Sequence, residues 1–145
     1  MNFEITKASE VKVRKVEWSW YPFIPFGKVT VIQGDAGDAG DGKSTFILKL
    51  AAMLTNGEPM PFTDGNNLEP MNVIYQSTED DADDTIVPRF ISAGCNTEKL
   101  LFINEKEHYL SFSDERLLEA IRATKALIHC LPILANQLPL TLQMK

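Results

Sequence analysis

Cysteine is scarce in this chain: two in 145 residues, Cys95 and Cys130, far apart and at no metal-ligand spacing. That excludes a disulfide-stapled scaffold and fits a reducing compartment. Long apolar runs are lacking too. The most apolar stretch, residues 126–135, is far shorter than the ~20 residues that cross a bilayer, and Pro132 interrupts it. The first ten positions carry Glu4, Lys7 and Glu10 and no apolar core of a secretory leader. A cytoplasmic chain with no membrane partner is expected. An excess of positive charge is also missing: 14 Lys and Arg stand against 20 Asp and Glu, a net charge of −6. A surface basic all over, of the kind that holds nucleic acid non-specifically, is therefore excluded. Lys7, Lys12, Arg14 and Lys15 cluster locally and read as a solvated strand or loop edge, the alternative being a small basic groove.

What is present belongs to an ordinary globular domain, with 44% hydrophobic and 23% charged residues. The length suits one domain, residues 1–145. Val11, Val13, Val16, Trp18, Trp20, Tyr21 and Phe23 make the start apolar and β-rich, broken by Pro22 and Pro25. Residues 28–33 form a β-branched run between glycines, the pattern of a fully buried parallel strand. After a Gly/Asp-rich loop, Phe46, Ile47, Leu50, Ala51 and Leu54 recur at helical spacing, and Asn56-Gly57 supplies a stop.

The second half repeats the alternation. Residues 57–70 read as a loop, 73–76 as a buried strand ending in acids, and 80–93 as a helix in which Pro88 marks a kink or a late start. Residues 100–103 form a third strand. Ser113 is the expected N-cap of a helix burying Leu117, Leu118 and Ile121, and residues 126–131 form a fourth strand. Strands alternating with helices imply an α/β fold with a parallel sheet flanked by helices. Ligands of such sheets bind at the carboxyl ends of the strands.

One motif has a direct chemical meaning. Gly37, Asp38, Ala39, Gly40, Asp41, Gly42, Lys43 and Ser44 match G-x-x-x-x-G-K-[ST] in full. Glycines let successive N–H groups turn inward toward phosphate oxygens, and the positive end of the following helix faces the same anion. In that role Lys43 reaches the β- and γ-phosphates and Ser44 completes a magnesium shell, with Thr45 offering a further hydroxyl to a phosphate. The cofactors expected are therefore ATP and Mg2+. The triplet Gly-Asp-Ala occurs twice, at 34–36 and 37–39, so the loop is three residues longer than the pattern needs. Either the strand exit bulges or the phosphate nest is distorted. Asp35, Asp38 and Asp41 also place negative charge near an anion site.

Residues 24–28, the Gly-Asp-Gly-Lys-Ser-Thr loop (40–45), and the segment 75–94 with Ser77-Thr78-Glu79-Asp80-Asp81 and Asp84-Thr85-Ile86-Val87-Pro88-Arg89-Phe90 carry a resemblance. Together they are similar to the RecA-like AAA-type ATPases of RepA-like replicative helicases, RadA-like repair proteins and mobile-element proteins. The likeness spans about residues 22–125. It implies a P-loop ATPase fold, ATP hydrolysis, a DNA partner and a homo-oligomeric parent. It also implies that Glu79, or Asp80 in its stead, polarises the attacking water; the alternative is that these acids only answer a helix dipole. The family's next strand ends in an aspartate that holds magnesium through water, whereas residues 126–145 contain no acid at all. The resemblance thus implies a core incomplete at its C-terminal side, with 126–145 an atypical tail and a truncated or frame-shifted product after about Lys125. Two other functions remain in view: a non-catalytic nucleotide-binding remnant, and a nucleotide or small-molecule kinase. A kinase lid should be rich in arginine, but Arg14, Arg89, Arg116 and Arg122 are scattered. Trp18, Trp20 and Tyr21 either stack on a base or pack against the sheet. The His129-Cys130 pair reads as core filling.

Overall fold

The computed structural model describes residues 5–32, 42–65, 68–76, 82–103 and 114–126, together with the backbone of 128–131 and 140–142. Its strands are β1 (Trp18–Trp20), β2 (Ile24–Pro25), β3 (Val29–Thr30), β4 (Val73–Tyr75), β5 (Leu100–Leu101), β6 (Ile128–Leu131) and β7 (Leu140–Leu142). Its helices are α1 (Lys43–Asn56), α2 (Val87–Ser92) and α3 (Glu115–Thr124).

The three consecutive residues of β4 explain the layering. Val73, Ile74 and Tyr75 are all buried, so both faces of this strand are covered. Side chains alternate across a strand, and the packing follows that period. Val73 and Tyr75 pack with Leu50, Ala51 and Leu54 of α1, with Ile86 just before α2 and with Phe90 of α2. Ile74 packs with Leu117 and Ile121 of α3. Helices thus lie on both faces of the sheet, as a wound α/β fold requires.

The sheet order is β3-β7-β6-β4-β5. β4 pairs in parallel with β5 on one side and with β6 on the other. β7 is antiparallel to both β6 and β3, so β3, β6, β4 and β5 share one direction and β7 opposes them. The fold is α/β as expected, but the sheet is mixed.

Two further expectations are corrected. The run 28–33 is not a fully buried parallel strand: among its described residues only Val29–Thr30 pair, antiparallel to β7, and Val29 and Val31 are 47% and 45% exposed. β3 is an edge strand, with a neighbour on one side only, and its side chains are covered accordingly. The helix over 115–124 is capped by Asp114, whose carboxylate accepts from the Arg116 N–H at 3.0 Å, and not by Ser113, which lies outside the described residues. Before that, the stretch 82–92 starts late as a regular helix. A wide π-type turn occupies Ala82–Ile86, and α2 follows with Pro88 in its first turn, where its missing N–H costs no helix bond. The early apolar residues mostly stay out of the sheet: only β1 and β2 form, as a small antiparallel pair. Val11 and Val13 remain exposed.

The candidate nucleotide-binding site

α1 begins at Lys43, directly behind Gly42. Gly42 has φ +81°, the left-handed region that a side chain resists, so glycine is the residue that fits there. Its carbonyl accepts the first helical bond, from Phe46 N at 2.8 Å. As a glycine it offers no capping side chain, and the first turn holds no acid. Ser44 and Thr45 are exposed on that turn, and Lys43 is half-buried. A helix start of this kind has N–H groups beyond its own ladder and a partial positive charge, the physical requirement for holding an anion. These residues suit a magnesium–phosphate group: Ser44 contributes a hard hydroxyl oxygen, Lys43 a cation, and no carboxylate of the first turn opposes the phosphates.

The rest of the motif, Gly37, Asp38, Ala39, Gly40 and Asp41, lies outside the described residues, as do the repeated triplets, Glu79 and Asp80. The side chains of His129 and Cys130 do so too. Among the predicted residues, the structure brings together Gly42, Lys43, Ser44 and Thr45.

Two features could not be anticipated. At the carboxyl end of β4, Gln76 is buried, 5% exposed. Its amide nitrogen donates to the Ile103 carbonyl and its amide oxygen accepts from the Ile103 N–H, both at 3.1 Å. The side chain therefore continues the β4–β5 pairing beyond the backbone and ties the strand end that leads to the acidic segment. The second feature is aromatic. Trp20 donates its indole N–H to the Pro61 carbonyl at 2.9 Å, and its ring lies 4.9 Å from that of Phe23 and 6.1 Å from that of Phe46. A turn of β-hairpin is thereby packed beside the first turn of α1. The alternating Trp-Ser-Trp was the one signal of it.

A helix opening behind a left-handed glycine, with Lys-Ser-Thr in its first turn, beside a sheet covered on both faces at β4, is an architecture suited to phosphate binding in an α/β protein. The AAA domain family matches residues 3–131, nearly the whole chain. The chain belongs to that family and is a nucleotide-binding, ATPase-like P-loop domain. No curated protein and no solved structure matches it. Among the described residues, no helix is long and apolar enough to cross a membrane.

Proposed function

We propose that the chain binds ATP with Mg2+ and hydrolyses it, in a RecA-like ATPase of RepA-like or RadA-like kind serving DNA replication, repair or a mobile element. The observation that carries the reading is the start of α1: left-handed Gly42, then Lys43, Ser44 and Thr45 on a first turn with no side-chain cap and no acid. Lys43 holds the β- and γ-phosphates, Ser44 is the protein's ligand to magnesium, and residues 37–42 wrap the phosphates. Bound magnesium supplies neutralising charge to the triphosphate. Glu79 orients and polarises the attacking water. Its place just beyond Gln76, whose amide fixes the end of β4, supports that role. The DNA link, and a homo-oligomeric parent, rest on the likeness of residues 24–28, 40–45 and 75–94 to those helicases and repair proteins.

A second reading, binding without turnover, is favoured by one observation. β6, the strand at whose end the family likeness calls for an acid, lies beside β4, and residues 128–145 include no Asp or Glu. A shift of reading frame after about Lys125 accounts for that composition. Reading the gene's other frames past that codon for an acid-ended apolar strand tests it.

Calorimetry of ATP binding with and without magnesium, followed by phosphate release from the same sample, separates the readings. A working ATPase loses binding on Lys43→Ala and loses hydrolysis, with binding kept, on Glu79→Ala. Binding with no phosphate release in the parent protein establishes the remnant. Stimulation of release by single-stranded DNA supports the replication or repair role, and indifference to DNA counts against it.

A further inference from the structure

Beside the start of α1 lies a cavity of about 380 Å³, within the roughly 300–1,000 Å³ of small-molecule sites. It is open to one side, and three elements line it: Trp20, Phe23 and Ile24 from the β1–β2 hairpin, residues 30–32 from β3 and its continuation, and Phe46 from the first turn of α1. The lining is apolar and aromatic, with Thr30 the one polar side chain among the described lining residues.

Core packing alone does not account for these rings. Phe23 and Phe46 are 52% and 40% exposed, although each lies against Trp20, which is itself held in place by its bond to Pro61. Three rings are thus fixed around a space that none of them fills. Phe46 stands three residues beyond Lys43, a rise of about 4.5 Å along the helix, which is less than the length of a nucleotide. The same short element that presents Lys43 and Ser44 to phosphate therefore presents a ring to whatever is attached to that phosphate.

We propose that this cavity holds the nucleobase of the bound nucleotide, stacked against Phe46, Phe23 and Trp20. The inference rests on the reading of Lys43, Ser44 and Thr45 as the phosphate site. A flat π-face meets any base without regard to its hydrogen-bonding edge. Stacking supplies affinity here, and discrimination among bases falls to the single hydroxyl of Thr30. Purine and pyrimidine triphosphates should accordingly bind within about tenfold of one another.

The test compares ATP with inorganic tripolyphosphate, which has the phosphates and no base. Trp18→Phe leaves Trp20 as the sole tryptophan. In that protein ATP should quench the emission, and tripolyphosphate should bind without quenching it. Phe23→Ala with Phe46→Ala, both partly exposed and so tolerable to the fold (checked by melting), should weaken ATP about tenfold or more and leave tripolyphosphate unchanged. Equal losses for both ligands, or none for either, overturn the proposal. So does a parent protein that binds ATP no more tightly than tripolyphosphate, an outcome that leaves the phosphate site standing. If Lys43→Ala spares ATP while the paired phenylalanine variant abolishes it, the phosphate reading fails and the base cavity survives. Absence of any ATP binding to the parent overturns both.

Discussion

The two ends of α1 are built in opposite ways. Its C-terminal end is tied down on every side. Thr55, fully buried, accepts from the Asn96 N–H at 3.2 Å and shares a hydrogen bond with the Cys95 thiol at 3.1 Å. The Asn56 side-chain amide donates to the Gly94 carbonyl at 2.7 Å. Gly57 closes the helix in the left-handed region at φ +70°, and the Met71 N–H reaches back to the Leu54 carbonyl at 2.9 Å. The N-terminal end has a glycine for a cap and exposed Ser44, Thr45 and Phe46. A helix anchored at one end can hold its other end steady toward a ligand. Changes at the anchored end should therefore be read in stability, and changes at the open end in affinity.

The largest expected effect breaks the anchored end. A side chain on Gly57 meets the Leu68 carbonyl and the ring of Pro70, in a backbone conformation that side chains resist. Gly57→Val should cost about 3 kcal/mol, measured by urea unfolding, with ATP affinity unchanged in whatever fraction remains folded. A variant as stable as the parent would mean that this end is not the anchor.

Next comes the open end. Lys43→Ala should weaken ATP by about 2 kcal/mol, the usual worth of a charge-assisted hydrogen bond, as titrated by calorimetry. Its melting temperature without nucleotide should change far less than its affinity. A large loss of stability would make Lys43 a structural residue and dissolve the contrast between the two ends.

Much of this contrast was legible beforehand, for physical reasons. Helix periodicity over Phe46, Ile47, Leu50, Ala51 and Leu54 and the Asn56-Gly57 stop located α1 at both ends, because its bounds are set locally by glycines. β4 was legible because a strand covered on both faces must be apolar at every position. Phe46 illustrates the limit: its spacing put it on the apolar side of the helix, yet it is 40% exposed, since it faces an open cavity beside the edge strand β3 rather than the centre of the sheet. β3 misled for a related reason. A β-branched run has the same composition in the middle of a sheet as at its edge, and only the partner strand decides which it is. That partner, β7, lies in the atypical tail, at residues where no strand was expected. Gln76 was invisible because an amide that imitates a strand backbone requires a partner 27 residues away.

Gln76 extends the comparison to the neighbouring strand end. Gln76→Ala leaves the Ile103 N–H and carbonyl without their partners in a half-buried place, a loss of about 1–2 kcal/mol. Because the residue lies between β4 and the acidic segment, it should also slow phosphate release while leaving ATP affinity near the parent's. Stability lost with hydrolysis intact would confine Gln76 to the fold.

The smallest effect separates the two ends by pH. Burial raises the pKa of the Cys95 thiol, and its hydrogen bond with Thr55 offsets part of that rise. The folded protein therefore keeps this proton to higher pH than the unfolded chain, whose thiol titrates near its ordinary value of 9.0. Below that value both states are protonated and the group's contribution is fully present. As pH rises through the window up to the folded pKa, the unfolded chain has shed a proton that the folded one retains, and stability declines. Cys95→Ala removes that term, so its melting temperature should fall less steeply than the parent's in alkaline solution, all other titrating groups being common to both. Parallel curves would show that the thiol is not held in its neutral form. ATP affinity should be the same in the two proteins across this range, because Cys95 belongs to the anchored end of α1 and the ligand to the open one.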